Sequence, residues 1–206
     1  MADRTGQMPS NLTLTSGLST LIPLIQNQKG QPMNEKVEQN CRELIEMLSC
    51  HDAEPEEIAE MMPVLKLALS DPKAYIKQNP EDEWLSEGFD LNKFDPKLAE
   101  NLFAWSLSAV MVDFVVVGDK GDELCDGVME VLYEMDIEIL EPNFELANWF
   151  EYAEFIEKEL VKHKTGKTLV ALDINFSDDI SVFVVDRADY DKIMELARYF
   201  NLKTVS

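Results

Sequence analysis

Thr168-Leu169-Val170-Ala171-Leu172-Asp173-Ile174, then Asn175-Phe176-Ser177-Asp178-Asp179, then Ile180-Ser181-Val182-Phe183-Val184-Val185: this stretch decides the fold. Two runs dense in β-branched and aromatic residues flank a short polar connection, which is the signature of a β-hairpin. An amphipathic helix over Asp189–Phe200 follows, and Leu202–Val205 reads as an edge strand.

Before the hairpin the spacing changes to a helical one. Leu146, Trp149, Phe150, Ala153, Phe155, Ile156 and Leu160 form one broad apolar face and predict a helix over Glu145–His163. Lys162, His163 and Lys164 complement the negative end of its dipole, and Gly166 is the expected stop. That broad face serves a homodimer as readily as a core. Val110–Val117 is an unbroken apolar run ending at Gly118 and predicts a buried strand. A turn over Gly118–Asp122 and an amphipathic helix over Asp122–Met135 come next. A short strand at Ile137–Leu140 would then complete a β-α-β unit with a right-handed crossover.

The N-terminal half reads as helices. Asn34 caps one reaching about Cys50, with Val37, Cys41, Leu44, Ile45 and Leu48 inward. Pro55 opens a second over Glu54–Ser70, which Pro63 should kink or split. Asp71-Pro72-Lys73 and Asp95-Pro96-Lys97 repeat one start signature, an Asp cap with Pro in the first turn. Between them Pro80–Lys93 is a charged loop, and Trp84, Phe89 and Phe94 are expected to pin it to the core. The expectation is an α+β fold, a helical N-terminal half packed on a small mixed β-sheet with a C-terminal hairpin and helix. Residues 1–32 are polar and nearly uncharged and read as a flexible tail. Residues 33–206 read as one domain, mainly helical over 33–109 and sheet plus helices over 110–206. Either Met1 or Met33 suits a start of translation.

The charge is the compositional outlier. The chain carries 18 Lys and Arg against 40 Asp and Glu, a formal net of −22. Only Asp3, Arg4 and Lys29 are charged within residues 1–32, so 39 acidic and 16 basic residues, a net of −23, belong to 33–206. Such a surface repels phosphate backbones and anionic lipid, which argues against nucleic acid and membrane as partners. It attracts a basic protein. Three cysteines (Cys41, Cys50 and Cys125), an odd number without a CxxC pair, fit reduced thiols in a cytoplasmic protein. No stretch is apolar enough to span a membrane, and Leu12–Ile25 is too interrupted for a signal peptide.

Motifs for catalysis are lacking. Val117-Gly118-Asp119-Lys120-Gly121-Asp122-Glu123 sits where a phosphate loop would, but Asp119, Asp122 and Glu123 oppose an anion, so it reads as a glycine-assisted turn with Asp122 as helix cap. Cys50-His51 is half of a metal site with no second cluster in sequence. Neither G-x-S-x-G nor H-E-x-x-H occurs. Asp173, Asp178 and Asp179, with Asp186 after them, are the carboxylates that a Mg²⁺-dependent enzyme could use.

Val112-Asp113, the helix from Asp122, Leu169-Val170-Ala171-Leu172-Asp173, Val182-Phe183-Val184-Val185 and Tyr190–Phe200 resemble an uncharacterised bacterial family of small acidic cytosolic proteins, a domain of unknown function. The family's usual Val-Asp-Trp-Lys stands here as Val112-Asp113-Phe114-Val115. The resemblance covers about half the chain. It implies an α+β fold with a C-terminal hairpin and helix and transfers no catalytic residue or cofactor. The functional expectation is a non-catalytic, protein-binding module of the immunity or inhibitor kind, covering a basic partner. The alternative is a carboxylate-metal enzyme built on the acids of residues 173–179.

Overall fold

The computed structural model describes residues 34–81, 85, 96–142, 146–173 and 178–205. The expected tail over residues 1–32, most of the expected Pro80–Lys93 loop and the expected Asp95 cap lie outside them. Among the described residues, seven helices and a four-stranded sheet follow in the order α1 (Glu35–Leu48), α2 (Pro55–Ser70), α3 (Pro72–Gln78), α4 (Pro96–Val110), β1 (Val116–Gly118), α5 (Gly121–Glu134), α6 (Trp149–Lys162), β2 (Lys167–Asp173), β3 (Ile180–Asp186), α7 (Tyr190–Tyr199) and β4 (Lys203–Thr204). This is the α+β arrangement expected, with helices in the N-terminal half and strands toward the C-terminus.

The hairpin is the centre of the molecule. β2 and β3 pair over their whole lengths, from Lys167 opposite Asp186 to Asp173 opposite Ile180. β1 joins the free edge of β3 and β4 that of β2, so the strand order is β1-β3-β2-β4. Every pairing is antiparallel, so the sheet is not the mixed one expected. Both its faces are covered. Val170, Leu172, Phe183 and Val185 point into a core shared with α1, α2, α4 and α7. Ala171, Val182 and Val184 point the other way, into a second core built on α5 and α6. Alternate residues face opposite sides of a strand, so two covered faces require the near-continuous apolar runs that the hairpin sequence has. A smaller cluster of Ala68, Tyr75, Ile76, Leu85 and Leu102 joins α2, α3 and α4.

Local signals account for most helix starts. The Asn34 side chain accepts from Lys36 N, Asp71 from Ala74 N and Asn148 from Glu151 N. Asn148 thus starts α6 at Trp149, and Leu146 to Asn148 are not helical as expected. α2 stays one helix through Pro63. Four helices stop in the same way. Cys50, Asp136, Lys164 and Asn201 take left-handed φ angles of 53–57° just beyond α1, α5, α6 and α7. Their own N–H groups and those of the next residues bond back to the last turn, for example Lys164 N to Val161 O and Thr165 N to Leu160 O. This is a Schellman stop made without glycine. Gly166, the expected stop of α6, instead lies two residues past Lys164, with φ +76°.

Two expectations fail in the middle of the chain. Val110–Val117 is not a strand: α4 runs to Val110, Met111 to Phe114 form turns, and only Val116 to Gly118 pair with β3. Met111 is buried in the first core while the adjacent Val112 is 69% exposed. Ile137–Leu140 forms no strand either, so there is no β-α-β crossover.

Candidate functional site

A groove opens on the outer side of α5. Its Leu124, Cys125, Val128 and Leu132 face the second core. Asp122, Asp126, Met129, Glu130 and Tyr133 recur at three- and four-residue spacing and form an adjoining stripe. The Schellman stop at Asp136, with Asp136 N bonded to Tyr133 O and Ile137 N to Leu132 O, then turns the chain back. Ile137, Glu138, Ile139, Glu141 and Pro142 supply the facing wall, and Tyr152 of α6 closes one end. The resulting groove has a volume of about 800 Å³.

Its chemistry is one-sided. Five carboxylates line it (Asp122, Asp126, Glu130, Glu138 and Glu141) and no Lys, Arg or His does. None of the five forms an ion pair with a described cation. Apolar surface lies between the charges: Met129, Ile137, Ile139 and Tyr133, the last 72% exposed. Leu140, next to the wall, is 61% exposed. The field reaches the groove floor. Burial raises the Cys125 thiol, and the negative charges of Asp126, Glu141 and Asp122 add to this, taking its pKa to about 11. Such a groove attracts cations and offers them aliphatic and aromatic contacts.

A second cluster forms at the open end of the hairpin. Cys50 and His51 are both left-handed, with φ 55° and 63°, and His51 N donates to Glu46 O at 2.7 Å. The Cys50 thiol donates to Val184 O at 3.2 Å and accepts from Lys167 Nζ at 3.1 Å. Burial raises its pKa, and the Lys167 hydrogen bond opposes that only in part. Burial would lower the Lys167 pKa, but its hydrogen bonds to Asp186 and Cys50 outweigh this and the pKa rises. Lys167 Nζ lies 3.0 Å from Asp186 Oδ1. His51 Nε2 lies 2.9 Å from Asp189 Oδ2. The proximity of Cys50 and His51 in sequence therefore matters through two separate partners.

The acids singled out in sequence are divided between the two ends of the hairpin. Asp173 ends β2, with Lys203 Nζ 3.9 Å from its Oδ2, and the exposed Asp178 and the half-buried Asp179 lead into β3. Asp186 lies at the other end of β3, about 20 Å away at 3.3 Å per residue. Asp173, Asp178 and Asp179 do not bring three donor atoms together. Among the described residues, the one group of three metal-ligating side chains is His51, Asp186 and Asp189. In the Gly118–Asp122 turn, Lys120 rather than Asp122 occupies the cap position of α5. Its ammonium is held by Glu123 at 2.6 Å, an interaction that raises the Lys120 pKa. Gly121 is there for packing: a Cβ on it would lie 2.7 Å from Trp149 N.

The α5 groove was not anticipated from sequence, although Asp122, Asp126 and Glu130 at four-residue spacing were a readable sign. The facing wall was hidden by the expected strand at Ile137–Leu140. No helix among the described residues is long and apolar enough to cross a membrane. Compared with family models, curated proteins and solved structures, the chain gives no match.

Proposed function

We propose that this protein is a non-catalytic binding module, of the immunity or inhibitor kind, whose α5 groove takes a basic segment of a partner protein. The observation that carries the reading is a groove lined by five carboxylates that pair with no cation among the described residues and have no Lys, Arg or His beside them in the lining. A Lys or Arg side chain entering it would place its charge among Asp126, Glu130 and Glu138 and its stem along Met129 and Tyr133. The net charge of −22 would steer such a partner from a distance and make association sensitive to salt.

The test uses the full chain and a fluorescent amphipathic peptide rich in lysine and arginine, with a glutamate-rich counterpart as blank. Binding is read by anisotropy at about 50 mM and about 500 mM salt, a range over which the Debye length falls severalfold. The variant Asp126→Asn/Glu130→Gln/Tyr133→Ala should weaken binding by about tenfold or more, near 1.4 kcal/mol. The control Glu56→Gln/Glu60→Gln removes two exposed charges from α2, away from the groove. Equal weakening by both variants would show general acidity at work and would overturn the groove as the site.

A further inference from the structure

We propose that His51, Asp186 and Asp189 form a binding site for a divalent first-row transition ion, Zn²⁺ above all, which clips the end of α1 to the end of the hairpin. His51 Nε2 and one carboxylate oxygen from each Asp lie within 4.8 Å of one another. The His51–Asp189 pair is already at 2.9 Å. An ion about 2.1 Å from each of three ligands places neighbouring donor atoms about 3.0–3.4 Å apart, so a small inward movement completes the set.

The three side chains arrive from two remote parts of the chain. His51 follows the stop of α1, and the neighbouring Cys50 is tied to Val184 O of β3. Asp186 ends β3. Asp189 N donates to Asp186 O at 3.0 Å, a tight turn that brings both acids to one place ahead of α7. Lys167 Nζ lies 3.0 Å from Oδ1 of Asp186, so one ammonium already borders the site. Asp186 and Asp189 are half-buried, whereas the His51 side chain is 53% exposed and free to adjust.

The donor set chooses the ion. Imidazole nitrogen with two carboxylates suits Zn²⁺ and its first-row neighbours, whereas Mg²⁺ and Ca²⁺ prefer all-oxygen sites. Three protein ligands leave the remaining positions to water, as in open zinc sites. Binding only the folded chain, the ion stabilises it by mass action and ties residue 51 to residues 186 and 189.

The experiment is calorimetric titration of the full chain with ZnCl₂, with MgCl₂ and CaCl₂ as comparison ions. One site is expected for Zn²⁺, with little heat for the other two. His51→Ala and Asp189→Asn, each checked for folding by circular dichroism, should weaken Zn²⁺ binding at least tenfold. His163→Ala, which removes the other histidine, should leave it unchanged. In the unaltered protein, imidazole NMR signals give a readout independent of any substitution: Zn²⁺ should shift those of His51 and spare those of His163. Absence of Zn²⁺ heat, indifference to His51→Ala, or signals of both histidines moving together would each overturn the site.

Discussion

Replacing Gly127 by alanine probes the contact that seats β1 on α5. Gly127 lies in the middle of α5, where alanine is favoured over glycine by about 1 kcal/mol. Its new Cβ, however, would lie 2.5 Å from Val116 Cγ1, about 1 Å inside ordinary carbon–carbon contact. Overpacking of this kind costs about 1–3 kcal/mol. The balance is a net loss of about 0–2 kcal/mol for Gly127→Ala alone. Val116→Ala removes the clashing methyl and itself costs about 1 kcal/mol, since Val116 is only half-buried. In that background Gly127→Ala should stabilise by about 1 kcal/mol, so the coupling between the two positions is about 1–3 kcal/mol. Urea denaturation of the four proteins, followed by circular dichroism, measures it. If Gly127→Ala has the same effect in both backgrounds to within about 0.5 kcal/mol, β1 does not sit against Gly127 and the account of this edge fails.

Glu157 accepts from Leu169 N at 2.6 Å and Thr168 Oγ1 at 2.7 Å, and pairs with Arg187 at 2.8 Å; Glu157→Ala should cost about 1–3 kcal/mol in urea denaturation, and Glu157→Gln, which keeps an acceptor oxygen, clearly less. Burial pushes the Cys41 thiol up from 9.0 to about 12, so the folded chain keeps a proton that the unfolded chain releases. Its contribution is whole below pH 9 and is lost as pH rises toward 12, by about 1.4 kcal/mol per pH unit, and Cys41→Ala should flatten the measured stability–pH slope by that share. Lys164 holds a left-handed φ of 53°, so Lys164→Gly should raise stability by about 0.5–1 kcal/mol, and a loss would mean that the α6 stop is not left-handed. Asp126→Asn removes like-charge neighbours at both Asp122 and Glu130 and should stabilise the partner-free protein by about 0.5 kcal/mol, most clearly in thermal melts at low salt.

How much of this was legible in the sequence depends on the range of the interactions involved. The β2–β3 hairpin could be read because its two apolar runs meet across a short connection and each is buried on both faces. The caps at Asn34 and Asp71 act within three residues, so they too were visible. Val110–Val117 misled because composition does not say whether a partner edge is available. β1 pairs with only Ile180 to Val182 of β3, and Met111 is buried where α4 ends while Val112 is turned outward. The ends of α1, α5, α6 and α7 were read to within about two residues from where the apolar spacing stops, but their left-handed closure was not, because Cys50, Asp136, Lys164 and Asn201 take a conformation that glycine usually marks. The His51–Asp186–Asp189 cluster joins residues more than 130 positions apart, and no local pattern announces such a meeting. Asp186 was grouped with Asp178 and Asp179 by sequence distance, which for the two ends of one strand is a poor guide to proximity.

Acidity alone does not distinguish a recognition face from a solubilising one; the distribution of cations is the observation that bears on the choice. Glu38 has Lys66, Glu43 has Lys192, Glu154 has Lys158, Glu157 has Arg187, Glu159 has Lys162 and Asp186 has Lys167, all within 4.0 Å. Those pairings spread over α1, α2, α6, α7 and the hairpin. The groove on α5 is left out of them, although Lys120 stands just ahead of that helix and turns to Glu123 instead. A merely soluble surface gains nothing from gathering five exposed carboxylates, without a cation, along one partly apolar groove. The groove therefore bears a small standing cost in the free protein that a basic partner would remove on binding. On this reasoning, weakening the site at Asp126 and stabilising the free fold are two results of one substitution.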